Sequence, residues 1–495
     1  MKHLKKFNST EEKLAWLGGN DHVMPNVILL DGAVGYNAML EPLYVEANED
    51  LTVSFSLNAI EYSLDGTAWN SLPANTATPT INKGEKVYFR ATGLTPATTN
   101  GIGTFAISGA CDIGGNVMSM IHGDNCWSNK TLPASYALCA LFKNATTIQS
   151  AAQLELPAES LTAYCYRDMF NGCTSLVDTP ILPATSLNTA CYYQMFRSCS
   201  ALKETPILPA NMLYENAYGG MFMYCTSLTK LPELPATVVM NNAKNAYQYM
   251  FYGCTGLTEI TGFKARLSAG YSYTYMFGKC TSLTSFDGDL SLSSNYLYQY
   301  MFYQCTSLVN APALPATTIY AACYYHMFEG CTSLVNPPEL PATNIAQRCY
   351  EGMFKDCTSL VNAPALPATN LVSNDVYTSM FEGCTSLVNA PALPATSLKQ
   401  SCYKNMFLGC TSLVEAPELP AVTLQSQCYH QMFRNCSKLS YIKAMFTTVP
   451  SSSTTSSWVS GVASEGVFVK NAAATWDVVG TSGIPGNWTI ETAES

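Results

Sequence analysis

The chain has 495 residues, of which 48% are hydrophobic and only 12% charged, and it carries a net charge of −10. That length exceeds a single compact core and calls for several units or an elongated array. The acidic balance excludes nucleic acid as a ligand, since phosphate binding needs a basic stripe, and with no apolar run of 18 residues no membrane insertion is expected.

Residues 1–42 stand apart in composition. Lys2, Lys5 and Lys6 begin the chain as a signal peptide would, but Asn8, Ser9, Thr10, Glu11 and Glu12 occupy the place of the apolar segment, so no signal peptide is read here. Ser9-x-x-Glu12 forms a capping box before a short helix that stops at Gly18-Gly19. Phe7, Leu14 and Leu17 fall on one face of it, with Trp16 beside them, and Met24–Gly32 reads as a strand. This opening resembles the N-terminal attachment segments on structural proteins of Bacteroidales phages, crAss-like phages included. The resemblance implies docking to a capsid or tail protein through Phe7, Leu14, Trp16 and Leu17, and a place in the virion.

Residues 43–130 alternate apolar and polar positions in LTVSFSL (Leu51–Leu57), IEYSL (Ile60–Leu64) and KVYFRA (Lys86–Ala91), which predicts a small antiparallel β domain. It resembles the β module that precedes repeats in gut Bacteroidales surface and phage proteins. Gly101-Ile-Gly103 followed by Ala106 faintly resembles a dinucleotide loop, but it lies between β segments with no helix after it, and that reading is set aside.

Residues 131–440 repeat. Eleven Met-Phe pairs place phenylalanines at intervals of 25 to 29 residues from Phe170 to Phe433, and a looser copy at Phe142 makes twelve. Tyr stands four before Phe, Cys three after and Leu six after in all eleven, with CTSLVNAPALPAT identical at Cys305, Cys357 and Cys384. Burying about five apolar side chains yields roughly 10 kcal/mol, whereas ordering such a repeat costs on the order of 30. Only stacking on neighbours closes the gap. The i, i+4 Tyr–Phe pair predicts one or two helical turns, and LVNAPALPAT a short strand cut off by its prolines. Helix, M-F-x-x-C, C-x-x-L and a short strand ending in Pro together resemble the Treponema-type (BspA-like) leucine-rich repeat. That resemblance implies a mixed α/β repeat solenoid of about twelve 26-residue repeats, a role in adhesion or recognition, and no catalytic residues or cofactors.

Seventeen of the twenty cysteines fall in two columns, three after and five before Phe. The second column also holds Ala217, Ala246, Ser272, Leu297 and Val376, swaps that neither a disulfide nor a metal site tolerates, so a buried, reduced thiol is expected. A serine at Cys357 is expected to bury a hydroxyl without an assured partner. Asp287-Gly-Asp289 could begin a calcium site, but a turn explains it more simply. Two surface columns are candidates for binding: Tyr249, Tyr275 and Tyr300 two before Phe, with Tyr193 and Tyr325 one position away, whose rings could stack on sugars or a partner; and Asn310, Asn336, Asn362 and Asn389 eight after Phe, a polar strip. Both could equally do no more than keep the surface soluble. Residues 441–495, with GVFVK (Gly466–Lys470) and WTI (Trp488–Ile490), should cap the array.

Two functions compete. In the first, the chain is a phage virion appendage, a head or tail fibre, whose solenoid meets a host-surface protein or glycan, with homo-oligomers compatible. In the second it is a secreted or cell-surface adhesin of the same repeat family. No acid/base pair, nucleophile arrangement or metal cluster points to an enzyme.

Overall fold

A computed structural model describes residues 5–6, 29–30, 41–96, 101–240, 243–451 and 453–493. Of the N-terminal segment it describes only Lys5–Lys6 and Leu29–Leu30, two short strands paired in parallel. The attachment candidates Phe7, Leu14, Trp16 and Leu17, and the helix expected around them, lie outside the described residues.

The alternating segments fold as their pattern requires. Leu43–Ala47, Lys86–Arg90, Ile60–Ser63 and Asn70–Leu72 pair antiparallel in that order. Val53–Phe55 pairs with Phe105–Ile107. The sheet continues past the expected boundary at residue 130: Cys111–Asn116 lies antiparallel to Leu43–Ala47 on one side and parallel to Ile148–Glu155, the first strand of the array, on the other. At this join Gly115 has φ +77°, and a Cβ there would fall against the Pro42 carbonyl, so the crossing of the two pairings requires glycine. Phe105 stacks on Phe142 at 5.5 Å, so the β domain supplies the first layer of the repeat core.

From Phe142 to Phe433 each ring of the twelve stacks on the next at 5.4–5.9 Å. A parallel stack of the eleven tyrosines runs from Tyr166 to Tyr429. The solenoid is as the repeat predicts, but its Tyr-to-Cys segment is not helical. Among the described residues the helices are confined to Ser119–His122 and the 3-10 turn Gly123–Trp127. Each coil instead puts three residues, at six and two before Phe and two after, in the left-handed region. In the coil of Phe381 these are Asp375 (φ 56°), Ser379 (54°) and Gly383 (75°). An α-helix cannot hold a left-handed residue every fourth position.

The resulting ribbon of consecutive turns alternates its donors. The Phe170 N–H bonds the Met195 carbonyl of the next coil at 2.8 Å, and the Cys173 N–H closes back on Phe170 within its own coil at 3.1 Å. The period is four, so the buried pairs Cys165–Tyr166 and Met169–Phe170, and then Cys173, keep one inward face. A 3.6-residue helix would turn that face by about 40° every four residues. Opposite the ribbon, the proline-rich stretch pairs only briefly and always in parallel, as in Thr318–Ile319 with Asn344–Ile345, because proline offers no donor.

All twenty cysteines are buried and unpaired as disulfides. In the column three after Phe every thiol donates to the Phe carbonyl of the preceding coil, from Cys173 to Phe142 at 3.1 Å through to Cys436 to Phe407 at 3.0 Å. The slot is therefore a hydrogen-bonded ladder. The expectation that serine at Cys357 would lack a partner is corrected, because the Phe328 carbonyl lies 3.2 Å from its sulfur. After Phe433 the coils continue in parallel through Tyr441–Ala444, Val467–Lys470 and Thr489–Thr492. Trp458 closes both aromatic stacks, 6.2 Å from Tyr429 and 6.0 Å from Phe433, and its indole N–H bonds the Gly483 carbonyl.

Candidate recognition surface

Positions in the turn ribbon that do not face the core face outward, and in the middle coils they are aromatic. Tyr249 stacks on Tyr275 at 4.9 Å, Tyr275 on Tyr300 at 4.4 Å, and Tyr300 on His326 at 5.1 Å. Every coil places its left-handed residue two before Phe at the same point, which brings residues 25 or 26 apart into face-to-face contact. Tyr252 and Tyr303, one after Phe, stand edge-on to Tyr275 at 6.0 and 5.7 Å. Tyr325 lies edge-on to Tyr300 at 5.3 Å and under the Arg348 guanidinium at 4.9 Å. Alongside, Tyr271 and Tyr296 form a second stack at 4.6 Å.

Because these rings cover one another's faces, they present edges and hydroxyls rather than platforms on which a sugar could stack. Burial in the ridge pushes the Tyr252 phenol up to about 12 and raises Tyr249, Tyr275 and Tyr300 as well, so these four stay neutral donors at physiological pH. Tyr193 is placed three coils' width away from Tyr275, on the coil of Phe196, where its ring covers Gly219 and faces Arg167 at 5.6 Å.

The asparagine strip is a second, separate feature. Asn336 donates to Asn310, and Asn389 to Asn362, each at 2.6 Å, in positions that also bridge the coils. Their amides are thus engaged in coil-to-coil bonding, with exposed valines Val309, Val335, Val361 and Val388 beside them. The structure brings together the tyrosines of one column and the asparagines of the other, but not the two groups with each other.

Sequence reasoning missed Tyr252, Tyr303, Tyr271 and Tyr296. Their signal was the spacing of four between ribbon columns, hidden by the assumption of a helix. Among the described residues no group of three or more His, Cys, Asp or Glu side chains is placed to hold a metal. The Asp289 carboxylate caps its own turn at Ser291, whose hydroxyl first and N–H second, the latter at 2.9 Å, hold it below the usual carboxylate range. At Gly103 a Cβ would strike the Ser56 carbonyl, so the Gly101–Gly103 stretch serves packing.

The sequence matches the model of the BspA type leucine rich repeat region in six copies, over residues 220–361 and 350–456. A leucine rich cell surface protein of Faecalibacterium prausnitzii, known from its crystal structure, is 18% identical over 62% of this chain and 75% of that one, with a TM-score of 0.34. No curated protein matches the sequence.

Proposed function

Because this chain belongs to the BspA-type leucine-rich repeat family, we propose that it is a non-enzymatic, adhesin-type protein that recognises a surface ligand through the ridge centred on Tyr249, Tyr275 and Tyr300. The observation that carries the reading is the ridge itself. Eight tyrosines and a histidine converge on the solvent side of the scaffold, where solubility alone would be served by charged side chains. Tyrosine supplies contact area and a hydrogen-bonding hydroxyl at small conformational cost, which suits recognition of a protein or a glycan.

The family favours display on a cell over a virion appendage. Immunogold labelling with an antibody to the solenoid, applied to producing cells and to purified phage from the same source, tests this. Label on the cell envelope is expected. Label confined to virions would establish the appendage reading in its place, with the N-terminal segment as its attachment.

A further inference from the structure

Five cations along the solenoid are answered by carboxylates. Lys143 and Arg167 reach Asp168, Arg348 reaches Glu351, Lys355 reaches Glu382 and Lys443 reaches Glu418. Three basic side chains on the last two Phe-bearing coils lie together without such a partner. Lys404 and His430 hold the same ribbon position, three before Phe407 and Phe433, and the Asn405 N–H bonds the His430 carbonyl at 2.8 Å, which sets the two coils side by side. Arg434 stands one after Phe433, where its carbonyl receives the Gly409 N–H at 2.8 Å. Among the described residues neither Lys404 nor Arg434 has a carboxylate within 4.0 Å. His430 is half-buried near both and is held below its ordinary pKa first by burial and then by those two charges. The neighbouring carboxylate Glu382 is already taken by Lys355 at 3.3 Å.

Like charges at matched positions of adjacent strands repel, and the same holds for adjacent coils. In a chain of net charge −10, cations left together without counter-charges form a site suited to an external anion. Asn405, Gln427 and Gln431 occupy the neighbouring columns and offer uncharged hydrogen-bonding groups. We propose that Lys404, His430 and Arg434 form a binding site for an acidic glycan, a polymer that carries sulfate or carboxylate groups on a polyhydroxyl backbone. Two permanent cations, one coil apart, engage one or two anionic groups. That is too few to hold a nucleic acid, whose affinity grows with the number of phosphates neutralised, while the flanking amides match the sugar's own hydroxyls. The site deepens the recognition reading above and rests on it for the ligand being a surface polymer.

The test is biolayer interferometry of the full chain against immobilised dextran sulfate, polygalacturonate, neutral dextran and a single-stranded oligonucleotide at low ionic strength. Binding to dextran sulfate, to polygalacturonate or to both is expected, the preference identifying the anionic group, with none to neutral dextran and loss in 0.5 M salt as screening takes hold. The double variant K404A/R434A should weaken binding by about three- to tenfold, K404R/R434K should retain it, and Lys230→Ala, an exposed lysine on a distant coil, should leave it unchanged. Equal binding by K404A/R434A and the unaltered chain, equal or tighter binding to the oligonucleotide, or no binding to either acidic polymer overturns the proposal. Substitutions in the tyrosine ridge should not alter dextran sulfate binding, so failure of the ridge as an adhesive surface and failure of this site are read separately.

Discussion

Replacing Tyr350 by Phe removes a hydroxyl whose oxygen is buried without a hydrogen-bond partner, while the ring keeps its stacking on Tyr324 at 6.1 Å and Tyr377 at 5.8 Å. Seven other tyrosines of that column share the condition, among them Tyr324 and Tyr377. Tyr273 is different: its hydroxyl accepts the N–H groups of Arg266 and Leu267, both at 2.9 Å. An unsatisfied buried polar group costs about 1–3 kcal/mol. Tyr350→Phe should therefore be neutral or stabilise the fold by about 1 kcal/mol, after a small allowance for the space left behind. Tyr273→Phe should destabilise by about 1–3 kcal/mol, because two amides lose their acceptor. Urea unfolding of both variants beside the unaltered chain, followed by tyrosine fluorescence and circular dichroism, measures the difference. If Tyr350→Phe destabilises as much as Tyr273→Phe, its hydroxyl is satisfied and the reasoning fails.

Cys357→Ser keeps a donor for the Phe328 carbonyl, which also accepts the Cys331 N–H at 3.1 Å, so it should cost about 1 kcal/mol or less, whereas Cys357→Val crowds a fully buried slot and should cost about 1–3; denaturant midpoints that reverse this order would contradict the ladder. Burial pushes the thiols of Cys225, Cys331 and Cys436 up to about 12. An unfolded thiol titrates near 8.5, so the folded chain holds more protons between those values and loses stability as pH rises through them, by about 1.4 kcal/mol per pH unit for each thiol in that window. The unfolding midpoint should be level from pH 6 to 8 and fall steeply above pH 9, and the native thiols should resist Ellman's reagent that titrates all twenty after denaturation; a midpoint unchanged at pH 10.5 would refute this. Gly115→Ala forces a Cβ against the Pro42 carbonyl at φ +77° and should cost about 2–4 kcal/mol, read as earlier proteolysis at the join between β domain and solenoid.

Much of the core was legible because it repeats. The residue types of Tyr166, Met169, Phe170, Cys173 and Leu176 recur in all eleven Met-Phe coils, and only stacking could bury them. The exchange of Cys for Ala and Val at one column foretold a thiol that is packed rather than bridged. What failed was the local conformation. An i, i+4 pair suits both a helix and a ribbon of turns, and the deciding signal was the run of Gly, Asn, Asp and Ser at every fourth position, such as Gly383, Gly409 and Asn405, residues that tolerate left-handed backbone. Reading the segment as helix displaced the outward columns, so Tyr249, Tyr275 and Tyr300 were found but their edge-on partners Tyr252 and Tyr303 were not. The pairing of Asn310 with Asn336 was equally hidden, since a polar column reads alike whether its amides face solvent or one another.

The claim that the tyrosine ridge is a recognition surface is tested most directly by binding the full chain to a printed array of neutral surface glycans and extracellular proteins, in parallel with a Tyr249, Tyr275 and Tyr300 to Ser triple variant checked for an unaltered far-ultraviolet spectrum. The account predicts selective binding by the unaltered chain that the triple variant loses by tenfold or more, on the order expected when a central aromatic cluster is removed. Equal binding by both proteins, or binding to nothing on the array, would contradict it.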